Sequence, residues 1–211
     1  MTVVAIMYGL MVSAHAYLID NGDGTITQIR DDGSSLMWLK DANYAYTSGY
    51  DLDDGMGWKE AMTWAEQLNY GGYNDWRLPT ALNGDGSGPC EGSNCSGSEM
   101  GNLYYIEGVT LSTPGLFSFA NVDNSSSIWW SSTEKNLDPC SGQYTHAWDF
   151  DFAFGFGGSQ YADTKGWTFY AWAVRDGDSA SVPEPATLLL VGSGLAGLGL
   201  LGRKKFMRRD G

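Results

Sequence analysis

The sequence predicts an α+β domain of short antiparallel strands and two helices, followed by a C-terminal transmembrane helix. Three observations lead there. Between Tyr17 and Lys40, short runs rich in Ile, Leu and Thr are separated by the turns Asn21-Gly22-Asp23-Gly24 and Asp31-Asp32-Gly33, a strand-turn-strand-turn-strand signal. Trp58, Ala61, Met62, Ala65 and Leu68 recur with the 3.6-residue period of an amphipathic helix. Ala186 to Gly202 is an uncharged apolar run followed by Arg203, Lys204, Lys205, Arg208 and Arg209.

Met1 to Ala16 reads as a signal peptide, because it is apolar and ends Ala14-His15-Ala16, an A-x-A cleavage pattern. No Lys or Arg precedes the apolar part, so the start of the leader is expected upstream. Asp20, Asn21 and Asp23 have the spacing that opens a calcium loop. The twelfth position holds Asp31 rather than Glu, and no helix pattern flanks it. Turn chemistry is the first reading there, and a calcium site the second. Ala42 to Met56 reads as a polar loop. The helix that follows is expected to stop at Gly71-Gly72 by C-cap logic.

In the stretch Asp75-Trp76-Arg77-Leu78-Pro79-Thr80, Arg77 is a rare cation in an acidic domain. It is expected to form a buried or half-buried ion pair, or a cation–π contact, beside Asp75 and Trp76. Ser98 to Ile106 reads as a second helix, with Met100, Leu103 and Tyr104 on its apolar stripe. Thr110 to Asn124 reads as a loop. Ser127 to Glu134, Gln143 to Phe156 and Trp167 to Arg175 read as strands, and Asp176 to Ser181 as a polar linker.

In the tail, Pro183-Glu184-Pro185 precedes the apolar run, whose length is at the short end of the roughly 17–25 residues that span a bilayer. Gly-rich runs suit membrane helices better than soluble ones. By the positive-inside rule the basic cluster stays cytoplasmic, which puts the rest of the chain outside. The resulting division is signal peptide 1–16, domain 17–178, linker and Pro-Glu-Pro 179–185, transmembrane helix 186–202 and basic tail 203–211.

The order Pro-Glu-Pro, apolar run, Arg203-Lys204-Lys205 resembles the PEP-CTERM sorting signal of Gram-negative bacteria. That resemblance implies recognition and processing by exosortase, a membrane protease-transpeptidase. It also implies passage from an inner-membrane precursor to the cell surface or matrix, in bacteria that make extracellular polysaccharide. The body resembles a second family. Its D-N-G-D-G-T-I-T, L-M-W-L-K, W-K-E-A-M-T-W-A-E-Q-L, G-G-Y-N-D-W-R-L-P-T, W-W-S-S-T-E, A-W-D-F-D-F and A-W-A-V-R-D segments are similar, in this order, to the Lcl C-terminal domain family. Membership implies a C-type-lectin-like fold and an exported module that binds glycans, with no catalytic residues to carry over.

Composition bounds the partners. Residues 17–181 hold seven basic and 23 acidic side chains, a net charge of −16. Nucleic acid and sulfated polysaccharide are excluded on that ground, since both require cationic surface. Neutral sugars and divalent cations fit such a field. Once the leader is removed His146 is the sole imidazole, and the chain has no G-x-S-x-G, H-E-x-x-H or phosphate-loop pattern. A non-enzymatic module is therefore expected. A purely structural envelope protein and a carboxylate-driven glycan hydrolase are the alternatives. Cys90 and Cys95 are the nearest pair for a disulfide, leaving Cys140 over, and pairing of Cys140 with Cys90 or Cys95 is the alternative. Trp129, Trp130, Asp149 and Asp151 are the expected ligand-facing residues, because aromatic rings stack on sugars and acidic groups can hold a cation that bridges hydroxyls.

Overall fold

The computed structural model describes residues 16–53, 55–123, 127–135, 145–153 and 157–177. The expected α+β, C-type-lectin-like architecture is not what it shows. Among the described residues the domain is mainly β, with two four-stranded antiparallel sheets and three short helices. No helix among the described residues is long and apolar enough to cross a membrane. Residues 1–15 and 178–211, which hold the leader, the Pro-Glu-Pro motif and the expected membrane helix, lie outside the described residues, as does Cys140.

The first sheet has the order β1-β2-β3-β8, from strands β1 (Tyr17–Asp20), β2 (Thr25–Ile29), β3 (Ser35–Leu39) and β8 (Val174–Asp176). Its first three strands form the expected meander. Gly24 shows why that turn needs glycine: its φ is +89°, and a Cβ there would lie 1.9 Å from the Tyr70 hydroxyl oxygen. The second sheet has the order β4-β7-β6-β5, from β4 (Gly92–Ser93), β5 (Ile128–Glu134), β6 (His146–Asp151) and β7 (Ser159–Thr164). Of these, β4 and β7 carry no alternating apolar pattern that the sequence exposes. Ser159–Thr164 reads S-Q-Y-A-D-T and still forms a full antiparallel ladder with β6.

The helices are α1 (Tyr44–Thr47), α2 (Trp58–Gln67) and α3 (Glu99–Tyr105). Helix α1 falls in the segment expected to be a loop. Helix α2 has the expected start but ends earlier than expected, with Leu68 extended at its C-cap. Gly71 and Gly72, at φ +62° and +84°, form instead a two-residue turn that closes Tyr70 onto Tyr73. Helix α2 buries Ala61, Trp64 and Ala65. Helix α3 is capped by Ser98, whose hydroxyl accepts the Gly101 N–H.

The region 167–175 is not one strand. Tyr170 donates its N–H to the Ile128 carbonyl and accepts from Trp130 N–H, which joins it to β5. Leu39 N–H then bonds the Ala173 carbonyl, and Val174 exchanges two hydrogen bonds with Arg77. The segment crosses from one sheet to the other, so it is buried on all sides from Phe169 to Arg175. Trp172 marks the crossing: its ring meets Trp38 of β3 at 5.1 Å and Phe117 at 5.0 Å, and its Nε1 donates to the Leu39 carbonyl. Around it Trp129, Phe119 and Phe152 pack at 5.3 to 6.3 Å, mostly edge to face.

A register shift in β5 between Trp130 and Glu134 lifts Ser131, Ser132 and Thr133 out of the regular ladder. These residues clasp the Leu78-Pro79-Thr80 run. Ser132 N–H bonds the Pro79 carbonyl, and the Thr133 hydroxyl accepts Ala81 N–H. Cys90 and Cys95 form a disulfide with a Cα–Cα distance of 5.5 Å. The loop it closes is short, so the double variant C90S/C95S is expected to lose about 2 kcal/mol by loop-closure entropy. Urea unfolding of the two forms measures that loss, and unchanged stability would show that the loop is held by other contacts.

Candidate functional site

An ion-pair hub around Arg77 and Glu99 holds the scaffold together. Glu99, in the first turn of α3, accepts two hydrogen bonds from Arg77 at 2.8 Å each and a third from Thr80 N–H at 2.8 Å. Arg77 also reaches Asp176 at 2.6 Å. Burial works against the Arg77 charge, but the bonds to Glu99 and Asp176 win and hold its pKa above its usual value. Arg77 thus forms the expected ion pair, and its neighbour Asp75 pairs with Arg175 at 2.7 Å, which holds the Asp75 carboxyl below the usual carboxylate range. The cation–π contact also belongs to Arg175, which lies 3.9 Å from the Tyr73 ring centroid. The Asp75 to Thr80 run thus fastens α3, β8 and β5 together.

Asp20, Asn21 and Asp23 are engaged in the β1–β2 turn. Asp20 accepts Gly22 N–H and pairs with Lys40 at 2.7 Å, both of which lower its pKa. Asp23 accepts both the N–H and the hydroxyl of Thr25, and the Asn21 side chain bonds Thr25 and Thr27. Among the described residues no group of three or more His, Cys, Asp or Glu is placed to hold a metal ion. These bonds are the turn chemistry that the Asn-Gly-Asp-Gly sequence calls for.

The expected ligand face is corrected too. Trp129 and Trp130 are both fully buried, and they point to opposite faces of β5. Trp129 pairs across the ladder with Phe150, and its Nε1 donates to the Ala42 carbonyl at 2.9 Å. Trp130 pairs with Asp149, donates to the Met56 carbonyl at 2.8 Å and stacks on Phe169 at 4.5 Å. Asp149 is 2% exposed, while Asp151 is half-buried. The four residues share no exposed surface.

Exposed aromatic and polar groups do meet at the end of the second sheet, where β5, β6 and β7 reach the connection 165–169. Lys165 Nζ lies 4.1 Å from the Trp58 ring centroid and pairs with Glu134. Trp58 Nε1 donates to the Ser131 carbonyl at 2.7 Å. His146 is set between two hydroxyls, Thr145 at 2.7 Å and Thr164 at 3.4 Å. Trp167 projects from this end with 55% of its surface exposed. Its N–H bonds the Thr164 carbonyl, and its ring stands edge-on to Phe169, centroids 6.1 Å apart. On β7, Tyr161 is 49% exposed and sits directly opposite Asp149.

Sequence reasoning did not single out the exposed aromatics Trp167 and Tyr161 or the cation Lys165. One signal was present: Lys165-Gly166-Trp167 is a turn tripeptide, and an aromatic residue placed beside a turn glycine is less confined than one in a strand pattern.

The model of the Lcl C-terminal domain matches residues 27–83, from β2 through the Asp75 to Thr80 run, and stops short of the W-W-S-S-T-E and A-W-A-V-R-D segments. The PEP-CTERM protein-sorting motif matches residues 181–209. No curated protein and no solved structure matches the chain. The sorting motif makes this an exported, exosortase-processed protein of the cell envelope.

Proposed function

We propose that this chain, which carries a Lcl C-terminal domain and a PEP-CTERM sorting motif, is a non-enzymatic carbohydrate-binding module of an extracellular polysaccharide or biofilm matrix. The observation that carries the reading is Trp167. Seven of the nine Trp are buried, whereas Trp167 is half out of the protein and braced by Phe169. A braced ring loses little entropy when a sugar stacks on it. Thr164, which bonds the Trp167 backbone, and Lys165, two positions before it, carry polar groups that a sugar's hydroxyls could meet. The acidic domain favours neutral sugars and repels anionic ones.

The test is binding of the full-length chain, kept in mild detergent, to an array of neutral and anionic polysaccharides. Tryptophan-to-alanine replacement at the ledge (W167A) is expected to weaken neutral-glycan binding at least about tenfold. Stability should change by no more than about 0.5 kcal/mol, because the ring is on the surface. Equal binding by both forms would remove Trp167 from the site. No binding anywhere on the array would leave the structural envelope reading.

One observation favours the glycan hydrolase instead. Burial and the nearby charges of Asp163 and Asp151 push the Asp149 carboxyl up to about 8, as for a general acid beside a carboxylate. Against it, Asp149 is 2% exposed, out of reach of a glycosidic oxygen in this conformation. Glycan turnover that disappears in D149N while binding persists would make the protein an enzyme.

A further inference from the structure

We propose that Asp149 is a proton-dependent latch of the second sheet: the fold holds it as the neutral acid, and ionisation at alkaline pH loosens β6 from its neighbours. The geometry carries this. Asp149 occupies the middle of β6, between Trp130 on β5 and Tyr161 on β7. It is 2% exposed, and its Oδ2 has no hydrogen-bond partner. A buried carboxylate oxygen without a donor is among the most costly states a side chain can occupy, and protonation is the usual escape.

The surroundings make ionisation harder still. On the same face, Ala147 and Asp151 flank Asp149 along β6, and Tyr161 with Asp163 faces it from β7. Trp130 faces it from β5. The charges that act on it are both carboxylates, Asp163 and Asp151. The cations at the end of the sheet are committed elsewhere: Lys165 to Glu134 and Trp58, and Lys135 to the Trp148 ring at 5.5 Å. Desolvation comes first, the like charges of Asp163 and Asp151 and a hydrogen bond to the Asp163 side chain add to it, the Asp163 backbone N–H opposes it, and the net pushes the Asp149 pKa up to about 8. Asp151 is also raised, by burial.

The sign of the effect is fixed by linkage. A raised carboxyl binds its proton more tightly in the folded chain than in the unfolded one. Its stabilising effect is complete below the unfolded pKa of about 4 and is lost as pH rises toward about 8. With a full proton of difference, each pH unit in that window lowers the folded-to-unfolded ratio about tenfold.

The experiment compares urea unfolding of the full-length chain, in mild detergent, from pH 5 to 9 with that of D149N. Asparagine keeps the shape of the neutral acid and cannot ionise. The wild-type chain is expected to lose about tenfold more per pH unit than D149N between pH 5 and 8, and the two slopes should converge above that range. Parallel slopes throughout would overturn the proposal. Should D149N fail to fold, carbon-13 carboxyl NMR of the wild-type chain reads the same group directly. An Asp149 signal still protonated at pH 7 supports the latch, and a midpoint below pH 5 overturns it. A midpoint that falls when millimolar calcium is added would make Asp149 a cation ligand and would likewise overturn the proposal.

Discussion

Replacing Arg77 with methionine (R77M) is expected to destabilise the domain by about 3–5 kcal/mol, the cost of leaving one partner of a buried ion pair alone. Glu99 is the partner left behind. Its side chain is 6% exposed against 31% for Arg77, so the carboxylate is the group that cannot turn to water. It would keep only the Thr80 N–H, and Asp176 would lose its cation as well. At roughly 2–4 °C per kcal/mol for a domain of this size, the melting temperature should fall by about 10 °C. The double variant R77M/E99M should recover a large part of the loss, because two apolar side chains fill the same space without a stranded charge. Thermal melts of the three forms by near-ultraviolet circular dichroism decide it. A loss under about 1 kcal/mol in R77M would mean that Glu99 finds another donor.

Replacing Trp129 with alanine (W129A) is expected to cost about as much, 3–5 kcal/mol, by a different mechanism: lost apolar contact and a residual cavity. Trp129 is fully buried, and its ring meets Tyr170 at 5.0 Å, Phe152 at 5.3 Å and Phe119 at 5.5 Å. Phenylalanine in its place (W129F) fills most of the volume but removes the donor to the Ala42 carbonyl, which points to a loss of about 1–3 kcal/mol. Trp129 and Trp167 therefore separate core from surface. Truncating the first should unfold the protein at lower urea, and truncating the second should leave the midpoint nearly unchanged. If W129A melted like the wild-type chain, the aromatic cluster around Trp172 would not be the core of this fold.

Two of the segments that carry the family resemblance are scaffold in the structure. Asp75 to Thr80 and Trp130 to Glu134 are distant in the chain, yet they are tied by Ser132 to Pro79 and by Thr133 to Ala81. Residues that bridge elements must have particular donors and acceptors, so they form recognisable strings. Surface residues such as Trp167 face no such demand, and the turn glycine beside Trp167 is the one local mark it carries.

By itself the sequence determined what depends on near neighbours and on composition. The β1–β3 meander follows from turn chemistry at Asn21 to Gly24 and Asp31 to Gly33, the body of α2 from its apolar period, and the acidic surface from 23 carboxylates against seven cations in residues 17–181. The export address follows from the order of blocks at the C-terminus. Tertiary structure alone decided that Phe169 to Val174 crosses between sheets, that Ser159–Thr164 is a strand, and that Arg77 answers to Glu99 while Asp75 answers to Arg175. It also decided that Trp129 and Trp130 lie inside while Trp167 lies outside. The reason is the same in each case. These outcomes rest on hydrogen bonds and contacts between residues tens of positions apart, and local pattern carries no information about which distant partner will cover a side chain.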